Sequence, residues 1–189
     1  MKKDEALEIL EELKNSENIK KHGLAVGFAM GSLYDHFEQK AKNPEMTKDD
    51  WETVGILHDA DYEITNKSLD KHTEETTKKL EEKGADSQII DAIRGHCDKA
   101  ERKTLMAKAV YAADELTGLI VAAALVQPEQ KLKSVTVESV MRKFKDKSFA
   151  AGANRDQIKT CEEELGIELE DFANIVLKSM QNHAKELGL

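Results

Sequence analysis

Gly55-Ile56-Leu57-His58-Asp59-Ala60-Asp61-Tyr62-Glu63 sets a histidine and a carboxylate side by side behind a short apolar run. Neighbouring residues on a helix point about 100° apart, so His58 and Asp59 reach one ion only from a helix end, where the backbone can splay. Ile56 and Leu57 put that end in the interior. A buried carboxylate is costly without a cation, and imidazole with carboxylate suits divalent transition metals and, through the carboxylate, Mg or Mn. Taken alone, the dipeptide also reads as an ordinary helix end with a capping aspartate and a solvated histidine. The rest of the chain has to decide between the two.

Outward from this stretch the pattern is helical. Thr47-x-x-Asp50 has the form of a capping box for a helix through Trp51, Val54 and Leu57. Upstream, Asp4 to Lys14 carries Leu7, Ile9, Leu10 and Leu13 on one side, and Asn15-Ser16 ends it and offers a new cap. A second helix follows from Glu17 to about Lys40. In it Gly23, Ala25, Gly27, Ala29 and Gly31 alternate, which lowers helix propensity but allows close approach of another helix or a cofactor. Downstream, the polar loop from Ala60 to Leu69 leads to Asp70, the expected cap of a helix over Lys71 to Lys83 that Gly84 ends. That expectation puts His72 in a first turn. Asp86 or Ser87 starts a helix ending at His96-Cys97, and Arg102 to Val126 is a long apolar helix closed by Pro128. Val137 to Phe144, Asn154 to Leu165, with Asn154 and Gln157 as a cap pair, and Glu168 to Leu187 complete the chain. No alternating run competes as a strand, so the expected class is all-α.

Composition narrows the function. The 189 residues suffice for one core with an appended subdomain. Lys+Arg total 28 against 37 Asp+Glu, a net −9 that argues against a nucleic-acid polymer or an anionic membrane as partner. The charged opening Met1-Lys2-Lys3-Asp4-Glu5 shows no apolar signal region, and a cytoplasmic location is expected. Cys97 and Cys161 lack CxxC spacing and read as two reduced thiols. The longest apolar run, Leu116 to Val126, falls short of the ~20 residues a bilayer span needs.

A second chemical signal is Asp114, mid-helix in Val-Tyr-Ala-Ala-Asp-Glu-Leu-Thr-Gly-Leu-Ile, where a carboxylate among small and apolar neighbours needs a partner. Five of the six histidines fall between His22 and His96, so a common cleft is open to them. The ordered set His22, His58-Asp59, His96 and Asp114 on an all-helical background resembles the HD-domain superfamily of metal-dependent phosphohydrolases over roughly residues 17 to 126. The resemblance extends to an uncharacterised predicted-hydrolase branch through Ala113-Asp114-Glu115-Leu116-Thr117-Gly118 and Lys143-Phe144-Lys145-Asp146-Lys147.

The resemblance implies an all-α, HD-domain-like helical bundle over residues 1–126, with a C-terminal helical extension over 127–189 packed on the same core. It makes His22, His58, Asp59 and Asp114 the ligands of one metal, and His72 and His96 the added ligands of a second, with Asp59 bridging. The implied cofactors are two divalent ions among Fe, Mn, Mg, Zn and Ni. The implied activity is hydrolysis of a phosphomonoester or phosphodiester of a nucleotide-like small molecule. A di-iron oxygenase on the same fold and a non-catalytic nucleotide- or metal-binding regulatory module are the alternatives. Asp61 and Glu63, with Asp59, are the expected catalytic carboxylates, as proton acceptor or orienting group for the nucleophile. The locally basic Arg142, Lys143, Lys145, Lys147 and Arg155 are the expected grip on a substrate phosphate. The residues after His58-Asp59 depart from members that act on nucleotides, which leaves the substrate open.

Overall fold

A computed structural model describes residues 1–189 as an all-helical protein. Its helices are α1 (Lys3–Glu12), α2 (Glu17–Gln39), α3 (Lys48–Leu57), α4 (Glu74–Glu82), α5 (Ser87–Gly95), α6 (Leu105–Leu125), α7 (Val137–Lys145), α8 (Arg155–Thr160), α9 (Leu169–Asn182) and α10 (Ala184–Leu187). No strand is present. No helix is long and apolar enough to cross a membrane.

Helices α2 and α3 pack closely, and their glycines explain it. A Cβ at Gly55 would lie 2.6 Å from the backbone of Gly27, and one at Gly23 would lie 2.5 Å from the carbonyl oxygen of Ile56. Backbone therefore rests on backbone. The alternating small residues of α2 serve a second helix, and this contact brings His22 on α2 level with His58, the residue that caps the C-terminal end of α3. At the other end of α3 the capping box forms as expected: Thr47 N donates to Asp50 Oδ2 at 3.1 Å and Asp50 N to Thr47 Oγ1 at 3.3 Å.

α6 runs through the middle with Met106, Ala109, Val110, Ala113 and Ile120 fully buried, and its small residues let α2, α5, α8 and α9 pack close around it. The last helices join the same hydrophobic core: Phe172, Val176 and Met180 of α9 are fully buried, and Ser179 Oγ donates to Phe28 O of α2 at 2.6 Å. Several helix boundaries differ from the sequence expectation: α6 starts at Leu105 under a Thr104 cap, not at Arg102, and the helix expected over Asn154 to Leu165 widens into a π-turn over Cys161–Leu165. The segment from Glu168 to Leu187 breaks at His183, whose ring stacks on Phe28 at 3.7 Å. The helix expected to start at Lys71 under an Asp70 cap starts instead at Glu74, after Thr73 takes a positive φ of 69°. Its cap comes from Asp61: one carboxylate oxygen accepts Thr73 N at 2.8 Å, and the other accepts Glu75 N at 3.0 Å and Thr76 N at 3.2 Å. His72 thus lies in the connection ahead of α4.

Candidate metal centre

Four histidines and two aspartates converge from five places in the chain. His22 comes from α2, His58 and Asp59 from the end of α3, His72 from the connection to α4, His96 from the end of α5 and Asp114 from the middle of α6. His22 Nε2 lies 3.1 Å from His58 Nε2 and 3.0 Å from Asp114 Oδ1. His72 Nε2 lies 3.0 Å from His96 Nε2. Asp59 stands between the two groups: Oδ1 is 3.0 Å from His72 Nε2 and 3.4 Å from His96 Nε2, while Oδ2 is 3.8 Å from both His22 Nε2 and His58 Nε2. Each carboxylate oxygen faces a different pair of imidazoles.

The outer nitrogens of three rings are fixed. His58 Nδ1 is 2.7 Å from Gly55 O and His96 Nδ1 bonds to Ile93 O, and since a carbonyl only accepts, both Nδ1 atoms carry the proton. His72 Nδ1 donates to Asp61 Oδ1 at 2.9 Å. In the neutral rings every corresponding Nε2 is then a bare lone pair, and His72 and His96 would hold two lone pairs 3.0 Å apart in the interior. Only a cation or a proton between them removes that repulsion. Two donors each ~2.1 Å from one ion lie about 3 Å apart when they subtend a right angle. The donor set therefore fits divalent ions in both halves.

Without metal, protons take that place. Burial alone would lower the pKa of His58, but the negative charges of Asp59 and Asp114 outweigh it and raise the group to about 9. His72 also rises to about 9, against its own burial, through hydrogen bonds to Asp59 and Asp61. Burial would raise Asp59 and Asp114, yet the surrounding histidines, His58 foremost, hold both carboxyls well below the usual carboxylate range.

A cleft of about 640 Å³ opens over the centre. Tyr62, Leu69 and Cys97 line it, together with Glu115 of α6 and Asn154 and Gln157 at the start of α8. Asn154 Oδ1 caps α8 by accepting Asp156 N and Gln157 N, and Gln157 Nε2 donates to Tyr111 O at 2.9 Å. Asn154 N in turn donates to Glu115 Oε2 at 3.0 Å, which ties α8 to α6 at the cleft wall. The sequence identified the cap but carried no sign that these residues face the centre. Cys97 stands with His72 and His96 in a group whose ligand atoms lie within 4.8 Å of one another.

The HD domain family model matches residues 7–119, more than half of the chain. The chain belongs to the HD domain family. No curated protein and no solved structure gives a significant match. The HD domain is all-α, and its members are mostly metal-dependent phosphohydrolases. The matched span contains all six converging residues, and within it Asp59 lies between the two groups of imidazoles.

Several expected site residues are engaged in other roles. Asp61 is fully buried with both carboxylate oxygens committed to backbone N–H groups and His72, so it orients a ring and caps α4, with no free oxygen for proton transfer. Glu63 accepts Ser16 N at 2.6 Å ahead of α2 and does not border the cleft. None of the basic tract lines the cleft either. Arg155 donates to the carbonyls of Ala150 at 2.6 Å and Ala153 at 2.7 Å, clamping its own loop. Lys143 sits 3.9 Å over the Phe149 ring, Arg142 and Lys145 border a separate surface hollow with Glu138 and Glu170, and Lys147 is exposed.

Proposed function

We propose that the protein is a hydrolase of phosphoester bonds that works with two divalent ions, His22, His58 and Asp114 holding one, His72 and His96 the other, and Asp59 shared between them. The observation that carries this reading is the division of Asp59, one oxygen toward each group of imidazoles. When bound, the ions supply Lewis-acid charge for the phosphoryl oxygens and a water acidic enough to attack near neutral pH. The chain's own residues do the rest. Asp61 and the carbonyls of Gly55 and Ile93 fix the ring directions, so ligand geometry is set before any ion arrives. Glu115 borders the cleft, and burial raises its pKa, so its carboxyl is suited to hold a proton for the leaving oxygen. Tyr62 packs its ring edge-on against His72, centroids 5.5 Å apart, on that side of the cleft.

The test is metal analysis of protein purified without air, followed by a screen of phosphomonoesters and phosphodiesters. Two ions per chain and metal-dependent release of phosphate or a phosphomonoester are expected. Turnover that consumes oxygen would transfer the centre to the oxygenase reading. Tight metal binding without any product would leave a binding module.

A further inference from the structure

The metal cleft does not end at His22. A second hollow of about 460 Å³ shares His22 and Gly118 with it and continues between α2 and α6. Much of its lining is apolar, Ala25 from α2, Val121 and Leu125 from α6 and Leu187 and Leu189 beyond α9, with Asn18 and Lys21 of α2 beside them. Positions 118, 121 and 125 follow helical spacing on α6 as 22 and 25 do on α2, so the hollow is a groove along two helices. At the junction, Gly118 leaves the passage open, because a Cβ there would meet no atom within 4 Å. Leu125 remains 48% exposed along the groove, a large apolar side chain with little covering it.

Charge completes the picture. The cleft lining contains Asp59, Asp98, Asp114 and Glu115 and neither Lys nor Arg. The cations close by are committed: Lys99 Nζ donates to Asp70 O at 2.7 Å and His72 O at 2.6 Å, and Arg102 pairs with Asp98 at 2.5 Å while covering the Tyr111 ring. Lys21 lines the groove itself, beside Gly188. These carboxylates are already engaged, Asp59 and Asp114 by the histidines, Asp98 by Arg102 and Glu115 by Asn154 N, so a polyphosphate chain leaving the centre would find Lys21 as its one cation among apolar side chains.

We infer that the substrate is a phosphomonoester of a neutral, largely apolar alcohol, whose hydrocarbon part passes over Gly118 and lies in the groove between α2 and α6. This rests on the phosphohydrolase reading and narrows it: polyphosphate nucleotides are poor fits, and an alkyl or similar apolar ester is the class the walls accept. A groove of this size is within the range of small-molecule sites, and each methylene removed from water strengthens binding by about two- to fourfold.

The experiment measures binding of non-hydrolysable n-alkylphosphonates, from methyl to decyl, to the metal-loaded protein by calorimetry, with adenosine triphosphate as the polyphosphate probe. The expected result is a Kd that falls about two- to fourfold per methylene until the groove is filled, and weaker binding of the nucleotide than of decylphosphonate. Leu125→Glu, at a groove position outside the lining of the metal cleft, is expected to blunt the gain with chain length while methylphosphonate binds as before. Methylphosphonate binding with no gain from chain length, or tighter binding of the nucleotide, overturns this inference alone. Failure of every phosphonate to bind overturns the phosphohydrolase reading together with it.

Discussion

His22 and His58 stand on or directly after helices whose backbones touch, with Asp114 facing them from α6, whereas His72 and His96 are held by hydrogen bonds in a connection and at a helix end. In the first group the position of each ring follows from packing: Gly23 and Gly27 let α3 settle on α2, and His22 and His58 meet at 3.1 Å as a result. In the second group, Asp61 sets the direction of His72 and at the same time caps α4. One half is rigid because nothing else fits between the helices. The other is ordered because one buried carboxylate satisfies three backbone donors and a ring. The two halves should therefore fail differently, and Asp59 is the one residue whose loss should damage both.

Asp59→Ala is the largest expected effect. Losing a residue that only orients a ligand typically weakens metal binding roughly 10–100-fold, and removing the shared ligand should exceed that in both halves. Metal analysis should find neither ion retained through dialysis. One ion retained at full occupancy would mean that Asp59 belongs to a single half.

Gly55→Ala attacks the packed half. Its Cβ would lie 2.6 Å from Gly27 Cα and N, backbone atoms that cannot swing aside as a flexible side chain does. Overpacking typically costs 1–3 kcal/mol, and a clash with backbone belongs at the upper end, about 3 kcal/mol. Urea unfolding of the metal-free variant should show this loss against the parent, and an unchanged midpoint would remove packing as the cause of the first half's geometry.

Asp61→Asn attacks the hydrogen-bonded half. The amide keeps the size of the carboxylate but gives up its charge and one acceptor, so the second ion should bind roughly 10–100-fold more weakly while the first is retained. The lost cap adds about 1 kcal/mol of instability. Titration of stripped protein with metal resolves the two affinities, and equal weakening of both would mean that the halves are not independent.

The same division explains what could be read from the sequence. The helices and most of their ends were legible because caps such as Thr47 with Asp50, and Asp86 with Gln88 N, act within one turn. The glycines of α2 announced a close approach, and the ordered histidines and aspartates supplied a family pattern. Asp61 was legible as an acid but not as a cap, because its targets lie 12 to 15 residues ahead and no period connects them. Arg155 and its neighbours looked like a phosphate grip because spacing shows charge and does not show that nearby carbonyls take up the guanidinium. Asn154 and Gln157 reach the cleft only because α8 packs on α6, a tertiary fact with no local signature.

The smallest expected effect tests the claim that protons stand in for the ions. In the metal-free protein, His58 and His72 keep their protons to about pH 9, above the ordinary histidine value of 6.5. A group whose folded pKa is raised binds its proton more tightly when folded. Its contribution is therefore fully present below pH 6.5 and disappears as pH rises through 9. Much of each shift depends on the same Asp59 charge, so the two contributions do not add, and the stability of the stripped protein is expected to fall over that window. The loaded protein should behave oppositely, since protons compete with metal for the ligand nitrogens and the ions bind more tightly as pH rises. Melting temperatures of stripped and loaded protein should accordingly draw apart between pH 6.5 and 9, the stripped form falling. Repeating the scan on His72→Gln should leave only the His58 part of the decline, which separates the contribution of one half of the centre from the other. Parallel curves for stripped and loaded protein would mean that no histidine proton occupies the place of an ion.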